Sequence, residues 1–162
     1  MQSLNKIYLA GPITGCSYED ARHGWREEFD EELSGYNIAA SLCSPMRGKD
    51  NLMGVSSIPG MAHELEGLAE VSKPKGIIGR DFNDVANSDL VVANFLGATR
   101  VSIGTAWELG VAFALRKPYI IVLEADKTNL HEHAFLTENA VYRCDNIKTA
   151  AKLAAFFLNP GL

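Results

Sequence analysis

The chain of 162 residues, 47% hydrophobic and 22% charged, has the size and make-up of one ordinary globular domain, which excludes disorder, a collagen-like repeat and a coiled coil. Its 15 Lys+Arg against 20 Asp+Glu leave a net charge of −5, so it lacks the broad positive field on which binding to a nucleic-acid polymer depends. No uncharged apolar stretch approaches the roughly 18 residues of a membrane span, and the start MQSLNKIYLAG has no apolar segment behind a basic leader, so a cytoplasmic protein with no membrane partner is expected.

In chain order, Lys6–Ala10 (KIYLA) reads as a first strand and Glu19–Ser34 as a helix with a charged face. Tyr36–Leu42 is a plausible second strand. From Cys43 to about Lys75 the sequence carries Pro45, Gly48, Gly54, Pro59, Gly60, Gly67 and Pro74; a loop of this length inside a compact domain is uncommon and is usually functional. Ile77–Asn87 reads as a helix, Asp89–Phe95 (DLVVANF) as a strand, Thr105–Arg116 as a helix and Pro118–Glu124 (PYIIVLE) as a strand. Ala140–Arg143 forms a short last strand, and Ile147–Leu158, with Ala150, Leu153, Ala154 and Phe157 at helical spacing, a last helix. Continuous β-branched runs mark strands covered on both faces. The expected fold is a single α/β domain over residues 1–162, with an open parallel sheet of about five strands and helices on both faces, Rossmann-like or flavodoxin-like. Ligands in such sheets collect beyond the carboxyl ends of the strands.

Three cysteines, Cys16, Cys43 and Cys144, are widely separated and odd in number, so neither a disulfide framework nor a zinc knuckle is indicated. His131-Glu132-His133 resembles a metal motif, but histidines two apart leave different faces of a helix and no further ligand stands at the required spacing, so no metal is expected. Gly11-Pro12-Ile13-Thr14-Gly15 follows the first strand and suits close approach of a ligand, yet it matches neither dinucleotide nor triphosphate fingerprints, and no cofactor is implied.

The stretch Ser102-Ile103-Gly104-Thr105-Ala106-Trp107-Glu108-Leu109-Gly110 follows the third strand and opens a helix. In a first turn, the helix dipole would keep Glu108 ionised at neutral pH and available as a nucleophile. Thr105-x-x-Glu108 equally fits a capping box, as does Ser17-x-x-Asp20. Asp81 and Asp84 in Arg80-Asp81-Phe82-Asn83-Asp84 supply further carboxylates. Two acidic groups converging on one pocket are what cleavage of a glycosidic bond requires, although two aspartates at this spacing also suit a solvated face.

Taken together, Ile7-Tyr8-Leu9-Ala10-Gly11, Arg80 to Val85, Ser102 to Gly110 and Asn129-Leu130-His131 resemble, in order and spacing, the nucleoside 2-deoxyribosyltransferase family and its relatives that hydrolyse deoxynucleoside 5′-monophosphates. The resemblance implies that Glu108 attacks C1′ of a 2′-deoxyribosyl group to form a covalent ester, that Asp81 holds or protonates the departing base, and that Tyr8 orients the Glu108 carboxylate. It implies substrate contacts from Gly11, Ser102 and Gly104. It also implies that Asn129 and His131 reach a neighbouring subunit's pocket, hence a homo-oligomer of at least two chains with shared sites. The partners implied are a nucleoside or nucleotide and a free nucleobase. Where the transferases usually carry an aspartate six residues before the nucleophile, this chain has Ser102, as the monophosphate hydrolases do. A serine hydroxyl donates to a 5′-phosphate that a carboxylate would repel, and Arg47, His131 and His133 are candidates for its positive surroundings. The first loop, in contrast, lacks a serine- and glycine-rich phosphate cradle. Transfer of 2-deoxyribose between bases is the leading expectation, hydrolysis of a deoxynucleoside 5′-monophosphate the second. A non-catalytic nucleotide sensor is the third, opposed by the intact Tyr8, Asp81 and Glu108 set. The loop Cys43–Lys75, with Met46, Arg47, Leu52 and Met53, is expected to shape the base site, and Trp107 to pack in the core or at an interface.

Overall fold

The computed structural model describes residues 4–60, 73–159 and 161. Its strands are β1 (Asn5–Ala10), β2 (Ala40–Cys43), β3 (Leu90–Asn94), β4 (Tyr119–Val122) and β5 (Tyr142–Cys144). They form one parallel sheet in the order β2-β1-β3-β4-β5, the doubly wound arrangement expected from the β-branched runs. The helices are α1 (Tyr18–Arg22), α2 (Gly24–Ser34), α3 (Pro74–Ala86), α4 (Ile103–Ala114), α5 (Ala134–Thr137) and α6 (Ile147–Leu158). Among the described residues no helix is long and apolar enough to cross a membrane.

Alternation along the strands divides the core into two layers. Ile7, Leu9, Val92, Ile120 and Val122 face α2 and α6, packing on Phe29, Leu33, Ala150 and Ala154. Tyr8, Ala10, Val91, Ala93 and Ile121 face the other way, onto Val85 of α3 and Leu109 and Ala112 of α4. This parity puts the Tyr8 side chain on the α4 side of the sheet. Because β2 and β3 flank β1 while the chain winds in opposite directions from it, the crevice between the carboxyl ends of β1 and β3 is the switch point where such folds bind ligands.

Several local expectations are corrected. The helix expected over Glu19–Ser34 is interrupted at His23 (φ −104°, ψ −93°) and Gly24 (φ +33°), the latter a backbone setting that glycine adopts at least cost. Ser17 caps α1, its hydroxyl accepting from the Asp20 N–H at 3.0 Å and donating to the Asp20 carboxylate at 2.7 Å. β2 starts later than expected because Tyr36 and Asn37 (φ +54°) turn the chain out of α2. α3 starts earlier, with Pro74 in its first turn, where a missing N–H is harmless. The start of the long loop is well packed: Met46, Leu52 and Ile58 join Tyr18 and Ala21 in a third small core, and Asp50–Leu52 form a 3₁₀ turn. Residues 61–72, the rest of the expected loop, lie outside the described residues.

Candidate active site

Beyond β1 and β3 opens a cavity of about 470 Å³, walled by the turn after β1, the loop after β2, α3, and the start of α4. Gly11 lies where a Cβ would come within 3.0 Å of the Asn94 carbonyl and 3.2 Å of the Trp25 ring, so only glycine lets the two strand ends close together here. Gly104 and Thr105 also line the cavity, and a Cβ on Gly104 would meet open space.

At the inner end, the Tyr8 hydroxyl donates to Glu108 Oε1 at 2.6 Å. Both side chains are buried, yet Glu108 lines the cavity, and among the described residues Oε2 has no hydrogen-bond partner. Two expectations for Glu108 fail. α4 begins at Ile103 with Ser102 as its cap residue, so Glu108 sits in the second turn and its carboxylate meets Tyr8 instead of capping the helix. Nor does it stay firmly ionised: burial pushes its pKa up to about 7, overriding the Tyr8 hydrogen bond and the Arg26 and Lys49 charges that favour the anion. Burial and the Glu108 and Asp81 charges push the Tyr8 phenol far upward, keeping it a hydrogen-bond donor at any working pH.

Arg26 supplies positive charge from behind. It is buried, stacks on Trp25 at 4.6 Å, and donates to the carbonyls of Leu9 (3.3 and 3.4 Å) and Ala21 (2.5 Å), so its charge is left to act on Tyr8 and Glu108. Arg26 shares the buried face of α2 with Phe29 and Leu33; that spacing could have shown it facing inward, though not which charges it meets.

Asp81, buried on α3, also lines the cavity. Its Oδ1 accepts from Arg80 Nε and Nη2, both at 3.2 Å, while the same guanidinium donates to the carbonyls of Pro45 (2.8 Å) and Arg47 (2.9 Å). Arg80 thus ties α3 to the loop after β2. Burial raises the Asp81 pKa against the lowering effect of Arg80 and Lys49. Asp84 takes a different direction, pairing with Arg47 at 3.1 Å. Neither aspartate lies on a solvated face.

Tyr8 stands behind the cavity wall and meets it through Glu108, while Arg47, Asn129, His131 and His133 lie away from it. Arg47 is occupied by Asp84 and by Cys43 Sγ. Asn129 donates to the Phe95 carbonyl at 2.8 Å and to Glu124 at 2.6 Å, and its Oδ1 accepts from the His131 N–H at 2.9 Å. His131 is buried, stacked on Phe95 with ring centroids 4.0 Å apart. Its Nδ1 shares the Asn129 Oδ1 at 3.0 Å and its Nε2 accepts from the Ser102 N–H at 2.8 Å, the pattern of a neutral Nδ1–H ring; burial lowers its pKa accordingly. Within their own chain, Asn129 and His131 therefore secure the residue that starts α4. Asn129→Ala is expected to lower stability by about 1–3 kcal/mol by stranding these partners, measurable as an earlier urea unfolding midpoint. His133 caps α5 through the Phe135 N–H, and Glu132 pairs with Arg143 at 2.7 Å, so the three residues of the apparent metal motif part company.

Ser102 does line the cavity, its Oγ sharing a 2.9 Å hydrogen bond with Thr105 Oγ1. Two cations missed by the sequence reading stand on the wall: Lys49 and Arg100. The rule that ligand-facing residues follow a strand could have found Arg100, whereas Lys49 sits in a loop with no periodic signal. Arg100 also borders an adjoining cavity of about 210 Å³ and lies against Gly15.

A family model described as nucleoside 2-deoxyribosyltransferase matches residues 7–141. Among solved structures, the chain resembles a 2-deoxyribosyltransferase from Bacillus psychrosaccharolyticus (19% identity, TM-score 0.60, 90% of each chain). It also resembles a molybdenum cofactor binding protein from Rippkaea orientalis (17%, 0.59, 98% of this chain and 100% of the other) and the CMP N-glycosidase BcmB of Clostridium botulinum (14%, 0.54, 94% and 99%). At these identities the likeness is one of fold, which hosts different functions. No curated protein sequence matches the chain significantly.

Proposed function

The chain belongs to the nucleoside 2-deoxyribosyltransferase family, and from that premise we propose that it transfers 2-deoxyribose from one nucleobase to another with Glu108 as nucleophile. The observation that carries this reading is the Tyr8–Glu108 hydrogen bond at 2.6 Å on the wall of a cavity that Asp81 also lines. Tyr8 holds Oε1, which leaves Oε2 to bond to C1′ as the C1′–N bond breaks and its electron pair passes to the base. Asp81 supplies a proton to that base, so that it leaves neutral. The glycosyl ester then yields to attack at C1′ by a ring nitrogen of a second base, whose proton passes to the Asp81 carboxylate, which returns Glu108 as carboxylate and Asp81 as acid with overall retention. Gly11 and Gly104 leave room for the sugar, and Ser102 faces its 5′ end.

The second reading, hydrolysis of a deoxynucleoside 5′-monophosphate, is favoured by Ser102 together with the Arg100 guanidinium, which makes no ion pair among the described residues. Incubation with deoxynucleosides or their 5′-monophosphates, with and without a second base, followed by chromatography, separates the two. Base exchange on the unphosphorylated substrate supports transfer, and free base released from the monophosphate alone supports hydrolysis. A protein that binds these compounds and turns over none would be a sensor.

Because the Tyr8 hydrogen bond favours ionised Glu108, Tyr8→Phe is expected to move the acidic limb of kcat/KM from about 7 to higher pH. Activity should fall about tenfold at pH 6 and much less at pH 9. An unmoved limb would break the link between Tyr8 and the nucleophile.

A further inference from the structure

Lys49 has no part in the reaction as drawn so far. It stands in the turn that follows β2, where its N–H donates to the Met46 carbonyl at 3.2 Å and its own carbonyl accepts from the Leu52 N–H at 2.9 Å. Met46 and Leu52 are buried in the small core under this loop, and Arg80 holds the carbonyls of Pro45 and Arg47 on the other side. The backbone carrying Lys49 is therefore fixed to the element that carries Asp81. The side chain lines the cavity, and among the described residues its ammonium makes no hydrogen bond or ion pair. Desolvation disfavours its charge, while the Asp81 and Glu108 carboxylates support it, Asp81 more strongly. A semi-buried cation with free donors beside the group assigned to the leaving base is poised for charge that appears there during reaction.

We propose that Lys49 is a further catalytic residue, donating a hydrogen bond to a ring carbonyl oxygen of the departing base, so that the site takes oxo-substituted nucleobases. This rests on the assignment of Asp81 to the base end of the cavity. As the C1′–N bond breaks, its electron pair enters the ring and is shared with the conjugated carbonyl oxygen. The Lys49 ammonium bonds to that oxygen and keeps its proton, and Asp81 protonates the ring nitrogen. A base without a carbonyl leaves the ammonium desolvated and unmatched, which discriminates against it. Arg100 and Ser102 lie on the β3–α4 side, so the 5′ substituent and the base carbonyl are read by different cations.

The test compares wild type, Lys49→Met and Lys49→Arg, each checked for folding by circular dichroism. Binding of free hypoxanthine and adenine is followed by calorimetry, and turnover of deoxyinosine, deoxyuridine and their 5′-monophosphates over pH 5–10. Wild type should bind hypoxanthine at least about tenfold more tightly than adenine, and Lys49→Met should erase the difference. Compared at the pH optimum of each form, Lys49→Met should lower kcat about 100-fold, with partial recovery in Lys49→Arg and a smaller loss for 5-fluorodeoxyuridine, whose base departs more readily as an anion. Equal hypoxanthine binding by wild type and Lys49→Met overturns the proposal, as does wild-type indifference between the two bases. So does a loss that vanishes when each form is compared at its own pH optimum, which would leave Lys49 only tuning carboxylate ionisation, or one confined to KM for monophosphates, which would move it to the 5′ end. If no substrate is turned over, the enzymatic reading and with it the catalytic role of Lys49 fail, while the calorimetry still decides whether Lys49 reads the base carbonyl.

Discussion

Glu108→Gln should abolish glycosyl transfer, lowering kcat at least about 10⁴-fold, because removing a covalent nucleophile leaves only the binding and electrostatic parts of catalysis. The check is paired: base exchange is followed by chromatography, and the intact protein is weighed after mixing with a slow substrate. Wild type should gain the mass of one deoxyribosyl group, mapped to the peptide containing Glu108, while the variant gains none. Stability should move in the opposite direction to activity. The folded-state pKa of about 7 lies above the ordinary carboxylate value of 4.5, so protonated Glu108 stabilises the fold below pH 4.5 and that contribution is lost as the pH rises through 7. Glutamine stays neutral throughout. The variant should therefore melt higher than wild type at pH 8, with the gap closing toward pH 5. Turnover retained in Glu108→Gln would refute the nucleophile assignment, and equal melting temperatures at pH 8 would refute the burial argument for its pKa.

Asp81→Asn should cost about 10²–10⁴-fold in kcat, the range expected when a positioned general acid is removed. The loss should depend on the substrate: largest for bases that leave poorly as anions, and small for those that leave well without a proton. Because Arg80 binds the Asp81 carboxylate and two carbonyls of the neighbouring loop, asparagine, which keeps an acceptor oxygen, preserves the clamp better than alanine does. Equal losses across leaving groups would place Asp81 in positioning the loop and not in proton transfer.

The sheet was legible because buried parallel strands must be continuous and β-branched, as KIYLA, DLVVANF and PYIIVLE are. Gly11, Asp81, Ser102, Gly104 and Glu108, singled out by motif and by resemblance to a family, all line the cavity. Illegible were effects decided by three-dimensional neighbours. The dipole argument for an ionised Glu108 failed because α4 starts earlier than Thr105 and desolvation outweighs a helix end. Lys49 and Arg26 were missed because a cation's role depends on which charges it faces, which local spacing does not encode. Asn129 and His131 were singled out as reaching a neighbouring subunit's pocket, and within their own chain their side chains hydrogen-bond to Phe95, Glu124 and Ser102.

The contact between Tyr8 and Glu108 joins positions 100 residues apart, and what sets it is the ladder of β1, where Ile7, Tyr8, Leu9 and Ala10 pair with Leu90, Val91, Val92 and Ala93. Side chains on a strand alternate between faces, so a slip of one residue in that ladder would turn the phenol toward α2 and α6 and set Leu9 against the carboxylate. An insertion of a single residue within β1 would therefore silence the site while leaving the sheet paired.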